Sequence, residues 1–279
     1  MTTLDSLKDR YQEVKDRCAD AARRAGHSPS GIMLVAVSKY AGIDDVRELI
    51  NMGHRDFGEN LVPSLIQRAA MIDEWQNRQR TLPRTKAGAP TPSQPPNPVR
   101  WHMIGHLQRN KVKKAVELSR LIHSVDSLRL AEEIQLAANK LAKTAEVLIQ
   151  VNTSGEVSKS GCAPAAAGHL VEAIETMINV KVRGLMTMAP HADGPDGKDA
   201  TRETFGRCRE LFTEMRRQGL GGDSFNILSM GMSEDYEIAI SEGANLVRVG
   251  SAIFGPPPAG ASSDGAESEP DPTDEGDED

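Results

Sequence analysis

The sequence predicts a closed (β/α)₈ barrel, a single TIM-barrel domain with an extra N-terminal helix. Eight short apolar segments have the length and composition of strands, each is followed by a helix or a helix-starting segment, and no hairpin turn joins any two of them. Eight such units are what a closed barrel of this type needs. An open, doubly wound sheet is the alternative, but the first strand–helix turn lacks the G-x-G-x-x-G of its dinucleotide-binding form. The candidate strands are residues 31–37, 55–57, 101–104, 121–124, 146–152, 180–185, 225–228 and 245–249.

Apolar residues at helical spacing occupy the segments between these strands. The opening helix, residues 4–25, places an apolar side chain every three or four positions and stops before Gly26. It precedes the first strand, so it is additional to the eight repeating units. The other helical segments are 44–51, 61–75, 105–118 (a turn and a helix), 127–141, 163–177, 201–218 and 233–241.

Two segments differ in composition from the rest of the chain. Residues 78–100 are rich in proline and polar residues and have no core-forming period, so we expect a flexible surface insertion there. Residues 256–279 hold nine acidic and no basic residues, which predicts a solvated, disordered tail. The barrel domain is therefore expected to span residues 1–255, and without the nine tail charges the net charge of −7 becomes +2.

This charge balance and the hydropathy exclude several function classes. A nearly neutral body offers no broad basic face, so nucleic acid is not the expected partner. No apolar run is long enough to span a bilayer, and the opening segment is a charged amphipathic helix pattern rather than a signal sequence. The sequence therefore predicts a cytoplasmic protein without a membrane partner. With no second domain in the pattern, a monomer is the simplest expectation.

No metal centre is predicted. The cysteines have no CxxC or Cys/His spacing, so free thiols are expected. The histidines on or beside strands lack a Cys/His/Asp grouping and are expected to be core or loop residues. The residues concerned are Cys18, Cys162, Cys208, His102, His106 and His123.

The stretch Gly31–Tyr40 carries the strongest chemical signal. Its apolar run predicts a strand buried on both faces, which delivers Ser38 and Lys39 at its carboxyl end. A lysine there must be paired, reach out to water or lose its proton, and the deprotonated amine is the form that makes a Schiff base with an aldehyde. The simpler interpretation is a lysine that marks where a strand meets solvent.

Polar side chains follow most of the other strands, where a barrel carries its functional groups. Asn60 follows the second strand, Ser229 lies in the seventh strand–helix loop, and Arg248, Gly250 and Ser251 lie at the eighth. The loops after strands seven and eight commonly bind phosphate in this fold, through backbone N–H groups at a helix start. Each loop taken alone could also be an ordinary turn with a helix cap. Together with a lysine across the barrel opening, they favour a phosphorylated aldehyde as ligand.

Eight segments of the chain, in order and spacing, resemble a known family. They are AVSKY, FGEN, WHMIGHLQRNK, IHSVDS, IQVNTSGEVSKSG, GLMTMAP, LSMGMSEDYEIAI and VRVGSAIFG, and they cover nearly all of Val35–Gly255. The chain resembles the pyridoxal 5′-phosphate homeostasis protein family, a single-domain relative of the alanine racemase barrel. The resemblance implies that Lys39 forms an internal aldimine with pyridoxal 5′-phosphate.

The same resemblance implies a role for each of the other site residues. Ser229, Gly250 and Ser251 would hold the phosphate, Arg248 would face the pyridine nitrogen, and Asn60 would line the ring site near the phenolic oxygen. The 78–100 insertion and the acidic tail depart from the compact family body, but neither includes a matched position.

Binding this cofactor does not by itself decide between a carrier and a catalyst. Two-base racemisation needs a general base on the face opposite the lysine, and the racemases resembled here take a tyrosine from an additional β-domain. The only tyrosines of this chain are Tyr11, Tyr40 and Tyr236, and none is well placed in the predicted barrel. We therefore expect a carrier that holds the cofactor and hands it over in intracellular pyridoxal phosphate homeostasis, without amino-acid-transforming catalysis. Cofactor-free pyridoxal phosphate enzymes are the recipients this implies.

Two alternatives stay open at the level of sequence. One is a weak racemase or lyase of the same barrel type, because the racemases also place an arginine such as Arg248 beside the pyridine nitrogen, where it weakens the ring as an electron sink. The other is a Schiff-base aldolase on a phosphate-binding barrel, which would need no bound chromophore.

Overall fold

The computed structural model describes residues 6–81, 98–156, 160–190 and 197–258. Its strands are β1 (Met33–Val37), β2 (Asp56–Glu59), β3 (Arg100–Met103), β4 (Ser119–Val125), β5 (Ala145–Gln150), β6 (Val180–Met186), β7 (Ile227–Ser229) and β8 (Leu246–Val249). Every strand is parallel to its neighbours and lies beside the next one in chain order, and β1 pairs with β8 to close the barrel. The predicted single closed barrel is confirmed.

Helices alternate with the strands, as the spacing of apolar residues predicts. In the described ranges they are α1 (Leu7–Arg24), α2 (Ile43–Asn51), α3 (Val62–Thr81), α4 (Val112–Leu118), α5 (Leu128–Lys140), α6 (Pro164–Glu175), α7 (Gly197–Arg217), α8 (Tyr236–Ser241) and α9 (Ser251–Phe254). The extra N-terminal helix is α1. Among these helices, none has the length and apolarity needed to cross a membrane.

The predicted insertion over residues 78–100 differs from the structure at both of its ends. Residues 78–81 continue α3, and Arg100 is already the first residue of β3. The helix runs past its predicted end at Trp75 because Gln76 is still buried and several good helix formers follow it. Residues 82–97 lie outside the described part of the chain, as do residues 259–279 of the acidic tail, and for both segments the expectation stays a prediction.

Helix α1 packs against the last two helices of the chain. It begins at Ser6, whose hydroxyl accepts the Asp9 N–H at 3.2 Å as an N-cap. The exposed face of α1 is tied to α8 because Arg17 and Arg24 both form ion pairs with Glu237. Contacts from α1 therefore brace the segment that follows β7.

The interior of the barrel contains an apolar layer of strand side chains. Strand side chains alternate between the barrel interior and the surrounding helices, so residues two apart share a face. The layer is formed by Val35, Leu121, Leu148, Met186 and Leu246, with Ile227 packed against it. The next inward positions along β4, β7 and β8 are polar, and they lead from this layer to the site described below.

A buried histidine at the amino end of β2 predicts how stability depends on pH. His54 Nε2 lies 2.7 Å from the Asp56 carbonyl oxygen and Nδ1 lies 3.1 Å from the Tyr11 hydroxyl. Burial lowers the pKa of His54 to about 4, although the Asp56 carbonyl opposes this shift. The unfolded chain therefore binds more protons than the folded chain between about pH 6.5 and 4, and the free energy of unfolding falls as the pH is lowered through that window.

By pH 4, we expect His54 to account for about 3 kcal/mol of the decrease in the free energy of unfolding. The measurement is urea unfolding at a series of pH values. The variant His54→Gln should flatten the profile. The variant His169→Gln is the control, because the His169 side chain is 88% exposed. Equal slopes for the wild type and His54→Gln would contradict the prediction.

Candidate functional site

The carboxyl ends of β1, β2 and β8 meet at one opening of the barrel, which we term the barrel mouth. Lys39 lies two residues beyond β1, is half-buried, and has its Nζ 4.9 Å from the centre of the Tyr40 ring. The backbone before it is fixed, since the Ser38 N–H donates to the Gly58 carbonyl at 3.0 Å. Lys39 is therefore presented at the mouth by a rigid strand end.

A buried carboxylate supports this strand end. Glu59 is fully buried; its Oε1 accepts the Ser38 hydroxyl at 2.5 Å and lies 2.8 Å from Arg68 Nε. Arg68 also donates to the Ala41 carbonyl at 2.8 Å, so this group fixes the backbone on both sides of Lys39. Burial raises the pKa of Glu59, and the Ser38 hydroxyl and the Arg68 guanidinium oppose that rise. Glu59 Oε2 has no hydrogen-bond partner among the described residues.

Removing the cation from this group should be costly. The variant Arg68→Gln leaves the buried Glu59 carboxylate without its ion pair, and we expect it to lower the free energy of unfolding by about 3 kcal/mol at neutral pH. The deficit should shrink as the pH is lowered, because a protonated Glu59 needs no cation. The control Arg23→Gln breaks an exposed ion pair with Asp20 and should change stability by less than about 1 kcal/mol. Similar losses in both variants by urea denaturation would contradict this account.

Asn60 is held at the mouth by a close backbone contact. It follows β2 directly and is half-buried. A Cβ at Gly105, just beyond β3, would lie 2.2 Å from the Asn60 carbonyl oxygen, so only glycine fits there. The Ile104 N–H donates to the Glu59 carbonyl at 2.9 Å and joins the two strand ends. Asn60 therefore lies on the strand next to the one that delivers Lys39.

The loops after β7 and β8 meet beside β1. Gly250 packs so closely on the end of β1 that an added Cβ would lie 3.3 Å from the Val37 carbonyl oxygen. The N–H groups of Gly250 and Ala252 donate to Ser233 Oγ at 3.1 and 3.3 Å, so one hydroxyl oxygen accepts two amides at the start of α9. Ser251, the first residue of α9, is exposed.

Ser229 and Arg248 lie inside the barrel rather than on the loops. Ser229 is fully buried and Arg248 is 3% exposed; Arg248 Nη1 donates to Ser229 Oγ at 2.7 Å and Nη2 donates to the Thr187 carbonyl at 3.0 Å. Burial lowers the pKa of Arg248 to about 10, and the Asp235 carboxylate opposes that shift. The guanidinium is therefore still a cation at neutral pH.

The structure brings the predicted residues together in two groups. Lys39, Asn60, Gly250 and Ser251 lie on the strand ends and loops of the mouth, whereas Arg248 and Ser229 are bonded to each other in the interior. The Ser229 hydroxyl is engaged by Arg248 and lies 3.2 Å from a His123 nitrogen, so its predicted contact with a phosphate stays a prediction.

The prediction from sequence gave no site role to three residues that contribute to this region. Ser233, rather than Ser229, is the serine of the SMGMS segment that contacts the Gly250 amide. Glu59 and Arg68 support the strand end that carries Lys39. Ser233 lies four residues beyond β7, in the loop that follows the strand. That position in the sequence is a signal from which its role at the mouth was predictable. Arg68, the partner of Glu59, lies on α3, and no local sequence pattern indicates this pairing. The histidines carry no cluster suited to a metal ion anywhere in the described ranges.

Comparison with known proteins identifies the family. The family model described as "Alanine racemase, N-terminal domain" matches residues 3–258. The pyridoxal phosphate homeostasis protein of Pseudomonas aeruginosa is 36% identical over 253 residues, which are 90% of this chain and 96% of the relative. The chain belongs to the pyridoxal phosphate homeostasis protein family. The resemblance noted from eight sequence segments is thereby confirmed.

Solved structures agree with this assignment to the pyridoxal phosphate homeostasis protein family. A protein of Bifidobacterium adolescentis, described as unknown, has a TM-score of 0.76 and 35% identity, over 89% of this chain and 94% of that chain. PipY of Synechococcus elongatus, solved with pyridoxal phosphate bound, has a TM-score of 0.68 and 32% identity, over 87% of this chain and all of that chain. These two solved structures, which align over nearly their whole length, thus share the barrel described above.

Proposed function

We propose that this protein binds pyridoxal 5′-phosphate covalently on Lys39 at the barrel mouth and acts as a carrier of the cofactor. The observation that carries the proposal is the position of Lys39, on the strand end against which the Gly250 loop packs. A cofactor-bound relative and relatives named as homeostasis proteins support it. Pyridoxal phosphate supplies an aldehyde that condenses with a primary amine, with loss of water, and Lys39 supplies that amine.

The donor set of the mouth fits an anion beside Lys39. Two amides, of Gly250 and Ala252, converge on Ser233 Oγ, and that oxygen stands where a phosphate oxygen could accept the same bonds. The exposed Ser251 hydroxyl adds a donor at the same turn. The close contact of Gly250 with β1 keeps this cradle against the strand that carries Lys39. These residues would hold the phosphate, with Ser229 behind them.

Two further residues would orient the ring. Arg248 is a buried cation that cannot act as an acceptor, so it would donate to the pyridine nitrogen and keep a proton off that nitrogen. Asn60, half-buried at the end of β2, would donate its side-chain amide near the phenolic oxygen. The Arg248 role would weaken the ring as an electron sink, but the racemases resembled here share it, so it does not by itself separate a carrier from a catalyst.

The three tyrosines argue against two-base racemisation. Tyr11 is buried and bonded to His54 at the amino end of β2, away from the mouth. Tyr236 is 1% exposed, and burial raises its pKa to about 12, so its phenol keeps its proton at neutral pH. Tyr40 lies with its ring against Lys39 Nζ, on the side of the lysine itself. A base on the opposite face is what a racemase needs.

A spectral and mass measurement tests the proposal. The purified protein, mixed with pyridoxal 5′-phosphate and freed of excess, should show a visible absorption band; borohydride should remove the band and leave one cofactor mass on the peptide that contains Lys39. No band and no added mass would overturn the proposal. The aldolase alternative predicts no chromophore but capture of other phosphorylated aldehydes.

The racemase alternative is tested by chirality. The loaded protein should leave L-alanine and D-alanine unchanged over hours, followed by chiral chromatography against a buffer control and a sample of free cofactor. Turnover above both controls would show that the protein is a weak racemase rather than a carrier. A cofactor-free enzyme that gains activity when mixed with the loaded protein would identify a recipient. A monomeric state and a cytoplasmic location stay predictions.

A further inference from the structure

A continuous chain of side-chain hydrogen bonds crosses the barrel interior from β2 to β8. Asp56 Oδ1 lies 3.2 Å from His102 Nε2, and His102 Nδ1 lies 3.0 Å from His123 Nε2. His123 Nδ1 lies 3.2 Å from Ser229 Oγ, which accepts from Arg248 Nη1 at 2.7 Å. The two histidines are at most 1% exposed and Ser229 is fully buried, so water does not compete along the middle of the chain.

When His102 is neutral, the two ends of this chain fix the direction of every bond in it. A guanidinium can only donate, so Arg248 donates to Ser229 Oγ, and the Ser229 hydroxyl proton is free to go to His123 Nδ1. An ionised carboxylate can only accept, so His102 donates its Nε2–H to Asp56. A neutral His102 then offers a lone pair on Nδ1, and it must accept the Nε2–H of His123.

We infer that the Asp56–His102–His123–Ser229–Arg248 chain is a one-directional hydrogen-bond relay in which both imidazoles are neutral Nε2–H tautomers. Its role is to hold the Arg248 guanidinium in one orientation below the barrel mouth. His102, His123 and Asp56 are then positioning residues, which act on a bound ring only through Arg248. That last consequence rests on the proposed function, whereas the tautomers do not.

The charges around the chain support this assignment. Two arginines bracket it: Arg248 at one end, and Arg100, which donates two hydrogen bonds to Asp56, at the other. Asp56 is the carboxylate that faces the histidines, and its charge is already shared with Arg100. Burial, the neighbouring His102 and the Arg248 cation all lower the pKa of His123 well below its ordinary value. A protonated His123 would add a third positive group to this interior.

Reversing the direction of the hydrogen bonds would place two hydrogen-bond acceptors against each other. If both histidines carried their protons on Nδ1, His102 Nε2 would turn a lone pair toward the Asp56 carboxylate at 3.2 Å. The Ser229 oxygen would then accept from both Arg248 and His123. A protonated His102 is the remaining competitor, because it could donate to Asp56 and to His123 at once.

Nitrogen-15 NMR of the histidine rings tests the relay directly. In protein labelled on histidine and kept free of cofactor at neutral pH, we expect His102 and His123 each to show a pyrrole-type Nε2 and a pyridine-type Nδ1. Single substitutions of each histidine assign the signals. An Nδ1–H tautomer on either ring, or two pyrrole-type nitrogens on His102, would overturn the inference.

A second measurement addresses the hold on Arg248. In the wild type we expect the Arg248 Nη protons to give separate signals because rotation of the guanidinium is slow. Ser229→Ala and His123→Phe should merge these signals, whereas Ser241→Ala, which alters an exposed serine, should leave them separate. Separate signals in both interior variants would contradict the positioning role. A wrong tautomer with the Lys39 adduct intact overturns the relay alone, and correct tautomers without an adduct overturn the proposed function alone.

Discussion

Replacing Lys39 with alanine is expected to abolish the covalent adduct with pyridoxal 5′-phosphate completely. The substitution removes the primary amine at the end of β1 while leaving the strand, the Gly250 loop and the buried Arg248 in place. Reversible binding through the phosphate should persist but should disappear on gel filtration. The measurement is intact-protein mass after borohydride reduction, supported by loss of the visible band.

Two further variants make this result specific. Lys39→Arg keeps the positive charge but offers a guanidinium, which stays protonated and forms no stable imine, so it should behave like alanine. Lys111→Ala removes an exposed lysine from the loop after β3, on the same side of the barrel, and should retain full labelling. Labelling of Lys39→Ala at the wild-type level would mean that the adduct forms elsewhere.

Gly184→Ala is expected to have the largest effect on the fold. Gly184 lies within β6 at a φ of +149°, and an added Cβ would lie 1.8 Å from the carbonyl oxygen of Ile227, its partner in β7. The methyl group cannot be accommodated without separating β6 from β7. We expect a loss of at least about 4 kcal/mol in the free energy of unfolding, or failure to fold.

Gly206→Ala is the matched control for this substitution. Gly206 lies within α7, and an added Cβ would be no closer than 3.8 Å to its nearest neighbour, an oxygen of Glu242. Because alanine is the better helix former, the control should gain up to about 1 kcal/mol in urea unfolding. If both variants unfolded at the same urea concentration as the wild type, the packing argument at β6 and β7 would be wrong.

The barrel could be predicted because its strands are buried on both faces and its units repeat. A parallel strand such as β1 or β5 is a short apolar run, and the helix after it has apolar residues with a period of 3.6. Each strand–helix unit is therefore indicated by two independent sequence patterns. The predicted element bounds were wrong where one of these sequence patterns is weak. Helix α3 has no glycine or proline at its predicted end, Trp75, and its last turn was assigned to the following segment; the nearest proline is Pro83, two residues beyond Thr81.

From the sequence, only those site residues that lie at strand ends could be predicted. Lys39 lies two residues after β1 and Gly250 directly follows β8, and adjacent strand ends must meet in a closed barrel. The contact of Ser233 with Gly250 depends on the path of a loop, and Gly231 shapes that loop at a φ of +95°. The bond between His102 and His123 joins two strands through the interior, and the sequence shows only that both histidines lie in candidate strands.

The pairing of β1 with β8 sets the order in which the mouth can be assembled during protein synthesis. The segment with Lys39 leaves the ribosome among the first of the eight units, whereas the Gly250 turn that packs on it is translated more than 200 residues later. A growing chain therefore carries the amine without the cradle. If Lys39 captures an aldehyde as proposed, we therefore expect that capture only in chains whose last strand has already docked onto the first.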